Sequence, residues 1–215
     1  MSGDSKFFLG VVVAAILIIG GFVTFSGSND SNVAVSGIES SGTHKLGPDS
    51  APVKIVEFGD FQCPACATAA VDFAKAQANN ADKVQIIFRH FPLPNHQNGL
   101  NSSLAAEAAG RQDKFWPMLD LLYANQQKWE QLGNPLETFV TYAKELKIDV
   151  DRFKQAYQNP EVKKAVEQDR DYGLSINVDS TPTFYVNGVK YTGGRTAGDW
   201  QKIIDETALA ATPAK

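Results

Sequence analysis

The chain has 215 residues and a formal net charge of −4. That length holds one ordinary domain with an appendage, not two comfortable ones, and an acidic balance without a basic stripe excludes a nucleic-acid-binding face. Only two cysteines are present, too few for a framework of structural bridges.

The run from Phe7 to Phe25 (FFLGVVVAAILIIGGFVTF) carries no charge. As a helix rising roughly 1.5 Å per residue it spans about 28 Å, close to the hydrocarbon thickness of a bilayer. It is longer than a signal peptide's apolar core of about 7–15 residues, and no small-x-small cleavage site follows it. The expectation is an uncleaved transmembrane anchor over 7–25 after a short cytoplasmic segment, 1–6. Lys6 precedes the run and no Lys or Arg follows until Lys45. The positive-inside rule then exports the remainder, so both cysteines face an oxidising compartment.

Residues 26–43 (SGSNDSNVAVSGIESSGT) are rich in Ser, Gly and Asn and read as a flexible linker. Globular sequence begins near His44, and Leu46-Gly47-Pro48-Asp49 has turn chemistry. Val53–Phe58 is a buried strand. A helix from Pro64 to Ala78 follows, with Pro in its first turn where a missing N–H needs no partner. Val84–Phe88 is a second strand, and the spacing predicts a parallel pair. Helical stripes then cover Leu100–Arg111, Asp113–Gln127, Pro135–Lys147, Asp149–Gln158 and Glu161–Ser175. Thr183–Val186 and Val189–Thr192 flank Asn187-Gly188, a strong hairpin signal. A last helix runs from Ala197 to Leu209. The order β-α-β, helical block, β-hairpin, α predicts an α/β core with an inserted helical subdomain.

Both cysteines lie in Cys63-Pro64-Ala65-Cys66, between the first strand and its helix. Cys63 then stands at a helix N-terminus, where unpaired N–H groups and the helix dipole favour a thiolate. Cys66 lies one turn inside. The spacing therefore points to a dithiol–disulfide redox centre, with Cys63 the nucleophile and Cys66 the resolving thiol. A zinc site would need two further ligands, and the only histidines are His44, His90 and His96; no metal and no cofactor beyond the redox disulfide is expected.

The segments VKIVEFGDFQCPAC, FRHFPLP, FWPMLDLLYANQ, STPTFYVNG and YTGG, in that order, resemble the DsbA-like thiol–disulfide oxidoreductases of the thioredoxin superfamily, in their membrane-anchored bacterial form. The resemblance covers about 44–210. It implies a thioredoxin fold over 44–215 with a helical insertion at about 95–176. It also implies that Pro182 forms a cis bond facing the disulfide, and that Thr181 offers its backbone to an extended substrate, joined by Pro64 and Ala65. Glu57 shares parity with Val53 and Ile55. In this family an acid at that position is buried beneath the cysteines and moves protons to and from the resolving thiol. The dipeptide here is Pro-Ala where DsbA itself has Pro-His, and the dipeptide tunes the potential. His90, His96 and Trp116 read as structural residues.

The implied activity is oxidation of thiols in reduced exported proteins, on the extracytoplasmic side of the cell membrane. A membrane partner of the DsbB or VKOR type would reoxidise the pair, and the chain is expected to be monomeric. Alternatives are a disulfide isomerase or reductase of the same fold, or a tethered chaperone-like module with a structural disulfide.

Overall fold

The structure, a computed structural model, describes residues 35, 37–39 and 44–211. The expected cytoplasmic segment and anchor, and most of the expected linker, lie outside the described residues. Among the described residues, no helix is long and apolar enough to cross a membrane.

Strands β1 (His44–Leu46), β2 (Val53–Gly59), β3 (Val84–His90), β4 (Thr183–Val186) and β5 (Val189–Thr192) form one sheet in the order β1-β3-β2-β4-β5. Helix α1 (Pro64–Asn79) links β2 to β3, which pair in parallel from Val53↔Val84 to Gly59↔His90. β4 lies antiparallel on the other side of β2, and β5 antiparallel on β4. Asn187 and Gly188 both take positive φ, 45° and 86°, as a two-residue turn matched to strand twist requires. Helices α2 (Gly99–Gly110), α3 (Phe115–Ala124), α4 (Gln126–Trp129), α5 (Leu136–Glu145), α6 (Val150–Tyr157) and α7 (Pro160–Ser175) stand between β3 and β4, and α8 (Ala197–Ala211) follows β5.

Central strand β2 is covered on both faces, which is why its sequence runs apolar without clean alternation. Val53 and Ile55 pack with Phe73 and Ala76 of α1 and with Trp200 and Ile204 of α8. Val56 and Phe58 face the other way, against Ile87, Phe91, Val178 and Tyr185. A third cluster joins Met118, Leu122, Trp129, Phe139 and Phe153 of the helical block to Phe61, Cys63 and Cys66. The insertion therefore packs onto the sheet end that carries the cysteines.

Three local expectations are corrected. β1 pairs antiparallel with β3, His44 opposite Phe88, where the sequence suggested only a lead-in; three partly exposed residues show no period to read. The helix expected over Asp113–Gln127 is two. Asp113 takes φ 59° and lies outside it, and Asn125, at φ −118°, separates α3 from α4. The linker expected to be flexible over 26–43 is docked in part: Ile38 is 1% exposed and packs in the cluster of Phe58 and Tyr185. Val35 N donates to Gly188 O at 2.9 Å. One apolar side chain in a Ser/Gly-rich stretch has no periodicity, yet burial of its surface favours docking.

Gly173 of α7 sits where a Cβ would lie 2.8 Å from ring carbons of Phe91 and 3.0 Å from Phe58. Both rings are buried. Helix propensity favours alanine by about 1 kcal/mol, but overpacking costs about 1–3 kcal/mol. Gly173→Ala is therefore expected to lower the urea midpoint with an unchanged m-value; a raised midpoint would show that the two rings give way.

Candidate active site

β2 ends at Gly59, and the loop Asp60-Phe61-Gln62 delivers Cys63 to the N-cap of α1. Cys63 keeps extended backbone angles, φ −73° and ψ 119°, and Pro64 opens the helix. Its side chain thus stands at the positive end of a 16-residue helix. Cys63 Sγ lies 3.4 Å from the carbonyl oxygen of Thr181, to which its thiol form donates, and the Thr181–Pro182 bond is cis. The expected residues of the β4 loop and of the cysteine motif are therefore side by side. Pro64 and Ala65 are exposed, while Pro182 is buried.

Both cysteines are free thiols, and their surroundings push them apart. The hydrogen bond from the Cys66 thiol, supported by the backbone N–H groups of Cys66 and Ala65, draws the Cys63 thiol down from 9.0 to about 5 against the effect of its own burial. Cys66 is 0% exposed, and burial drives its thiol well above the usual range. Cys63 is then a thiolate at neutral pH, and Cys66 is a protonated thiol.

Glu57 lies on the α1 and α8 face of β2, flanked in the sheet by Phe88 and Phe184. It is 5% exposed, and burial raises its carboxyl from 4.5 to about 8. Its charge adds to the rise at Cys66. A cavity of about 90 Å³, also lined by Phe73, Gln77, Leu119, Asp120 and Tyr123, reaches from Glu57 toward the α1–α3 surface. Two larger grooves flank the motif. One, of about 450 Å³, runs between Ala65, Thr68 and the Gly194–Thr196 loop. The other, of about 480 Å³, runs between Pro64, Ala67 and the Asn125–Lys128 segment.

The sequence did not single out the residues that hold the loop. Asp60 is fully buried; its carboxylate accepts from Gln62 N at 2.8 Å, Leu93 N at 2.8 Å and His96 Nδ1 at 2.7 Å. Gln62 accepts from Asn98 N at 2.6 Å and donates to Glu130 O at 3.0 Å. Gln126 Nε2 donates to the carbonyls of Phe61, at 2.7 Å, and Cys63, at 3.1 Å. For Asp60 and Gln62 the one visible signal was polarity between an apolar strand and the cysteine motif; Gln126, on α4, carried none. Trp116 lies away from the sulfurs, its indole donating to Lys45 O at 3.2 Å. His90 is buried behind Phe61, with ring centroids 5.9 Å apart.

A buried thiol beneath a helix-capping thiolate, opposite a cis-proline loop on a mixed sheet, defines a dithiol–disulfide exchange protein. The thioredoxin family profile matches residues 39–206. The chain is 36% identical over 197 residues to "Probable disulfide bond formation protein D" of Bacillus cereus, covering 87% of this chain and 91% of that one. The oxidised crystal structure of BdbD from Bacillus subtilis matches with TM-score 0.68 and 28% identity, over 77% of this chain and 92% of that one. α-DsbA1 of Wolbachia pipientis shares the fold, with TM-score 0.70 and 21% identity over 78% of this chain and 91% of that one. The chain belongs to the thioredoxin family and is a DsbA-like disulfide oxidoreductase with a helical insertion.

The raised carboxyl of Glu57 has a consequence for stability. A group that binds its proton more tightly when folded loses stability as pH rises from its unfolded to its folded pKa. The Glu57 contribution to stability should therefore fall between about 4.5 and about 8 and level off above. The lowered Cys63 thiol acts in the opposite sense as pH rises from about 5, equally in wild type and variant, so the Glu57 effect is read from their difference. Glu57→Gln is expected to match the wild type near pH 4 and to exceed it by about 3 kcal/mol at pH 7. Urea denaturation of the reduced proteins at both pH values measures this, and a variant less stable than wild type at pH 7 contradicts it.

Proposed function

We propose that the chain is an extracytoplasmic thiol oxidase that passes its Cys63–Cys66 disulfide to reduced exported proteins. The observation that supports this most is the pair of opposed thiols: Cys63 down at about 5 at the mouth of α1, and Cys66 driven well up beneath it. A low-pKa thiol is a good leaving group, and stabilising its anion stabilises the reduced enzyme, so the disulfide is a strong oxidant.

In the oxidised protein a substrate thiolate attacks Cys63 Sγ. The Cys63–Cys66 bond breaks and Cys66 leaves with the electron pair. Glu57, largely protonated at pH 7 with its carboxyl at about 8, supplies the proton that Cys66 takes up. A second substrate thiolate then attacks the substrate sulfur of the mixed disulfide and expels Cys63 as a thiolate. The substrate has lost two electrons and gained a disulfide; the enzyme is left as a dithiol. Thr181 lines an extended substrate segment up beside Cys63, with Pro64 and Ala65 exposed on the facing side. In the reverse half-cycle Glu57, as carboxylate, receives the Cys66 proton while a membrane partner of the DsbB or VKOR type removes the two electrons. Residues 7–25 anchor the chain beside that partner and raise its effective concentration.

The test uses the full chain. Cys66→Ala, expressed in a bacterial envelope, should accumulate mixed disulfides with exported proteins through Cys63, and none should form with Cys63→Ser. Purified wild type in detergent should speed oxidative refolding of a reduced disulfide protein, and Glu57→Gln should slow the exchange step by about 10²-fold at pH 7. Absence of trapped adducts together with refolding at the uncatalysed rate contradicts the proposal. Adducts with faster unscrambling of mispaired bridges, but no net oxidation, would identify an isomerase instead.

A further inference from the structure

Outside the thiol centre, three ligand-bearing side chains from three elements converge on one point. His44 comes from β1, His90 ends β3, and Glu107 lies on α2. His44 Nε2 is 2.6 Å and His90 Nε2 is 3.0 Å from the same carboxylate oxygen, Oε1 of Glu107. All three ligand atoms lie within 4.8 Å of one another. The imidazoles are held by packing that does not depend on the carboxylate. His44 stacks on Phe115, with centroids 3.6 Å apart and planes 5° apart. His90 is wedged edge-on between Phe88 and Phe115. His90 is fully buried, whereas the side chain of His44 is 13% exposed, so the cluster meets solvent on the His44 side.

We propose that His44, His90 and Glu107 form a binding site for one divalent ion of the zinc class, with a fourth position open to water beside His44. Two imidazoles and one carboxylate are the donor set of zinc, copper(II) and nickel; calcium and magnesium take oxygen ligands. Zinc bonds of about 2.0–2.2 Å place neighbouring tetrahedral ligand atoms about 3.3 Å apart. The two imidazole–carboxylate separations need to open by about 0.7 and about 0.3 Å, which a rotation of the Glu107 side chain supplies, and the two imidazole nitrogens, within 4.8 Å of each other, need to settle near the same spacing.

Metal on each Nε2 leaves the imidazole proton on Nδ1. For His90 that atom is buried without a hydrogen-bond partner. Metal-bound histidines normally donate this N–H to an acceptor, and losing such a partner weakens binding about 10–100-fold. The affinity expected is therefore micromolar, below that of a closed structural zinc site. The ion would tie β1 and α2 to the end of β3. His90 packs against Phe61, two residues before Cys63, so occupancy is expected to stabilise the base of the active-site loop.

The experiment takes the untagged full chain in detergent, with Cys63 and Cys66 in disulfide so that no thiolate competes. ZnCl₂ is titrated against a chromophoric chelator, with CaCl₂ in parallel. The expected result is one zinc per chain at micromolar affinity, a rise in the unfolding midpoint with zinc, and no response to calcium. His44→Phe keeps the stack on Phe115 but removes the ligand; it is expected to fold, to weaken zinc at least 30-fold and to lose the rise. Glu107→Gln should weaken zinc likewise, while Glu206→Gln, an exposed carboxylate of α8, should bind as wild type does. Failure to take up zinc at 100 µM, uptake that survives His44→Phe, or tighter binding of calcium than zinc overturns the proposal.

Discussion

The placing of one sulfur at the start of one helix governs the rest of the structure. A thiol in water near neutral pH is mostly protonated and a poor leaving group. Cys63 escapes that condition because β2 stops at Gly59 and the chain turns within three residues into α1. The turn is buried, so its polar groups must find partners inside the protein. Asp60 and Gln62 reach across to the helical insertion or its lead-in, and Gln126 reaches back from the insertion to the loop carbonyls. The insertion thus acts as the clamp that holds the reactive loop in register with the sheet, in addition to walling the site.

Burial works in two directions at this end of the sheet. It lifts the Cys66 thiol and the Glu57 carboxyl, both of which become reluctant to ionise. It does not prevail at Cys63, where hydrogen bonds from Cys66 and the first turn of α1 outweigh it. Of three titratable groups at this end of the sheet, one is therefore ionised and two are protonated at neutral pH. That division suits a reaction in which one sulfur is attacked and another is expelled and reprotonated. The cavity beside Glu57 gives the buried carboxyl a path toward the α1–α3 surface.

The sequence made β2 to β5, most helices and the cysteine pair legible because each carries a local signal: an apolar run, a helical stripe, a two-residue spacing, Asn-Gly. Glu57 showed through its parity with Val53 and Ile55 together with the resemblance to a family. Pro182 has no local mark that sets it apart from any strand-leading proline, and the resemblance to a family supplied its place. Asp60, Gln62, Asn98 and Gln126 stayed hidden, because their importance lies in pairings more than thirty residues apart, such as Gln62 with Asn98 and Gln126 with Phe61. The cluster of His44, His90 and Glu107 was hidden for the same reason, and because β1 was too short to be seen. Ile38 shows that a single apolar residue in a polar stretch can dock where composition suggests only a tether.

The most direct measurement is the pH dependence of alkylation of the reduced full chain by iodoacetamide, followed by mass spectrometry of the peptide that carries both cysteines. Cys63 is expected to react with a midpoint near pH 5, to be modified alone at neutral pH, and to leave Cys66 untouched well above it. A Cys63 midpoint near that of a free thiol, about 8.5, or modification of Cys66 first, would contradict the account of a thiolate held at the start of α1.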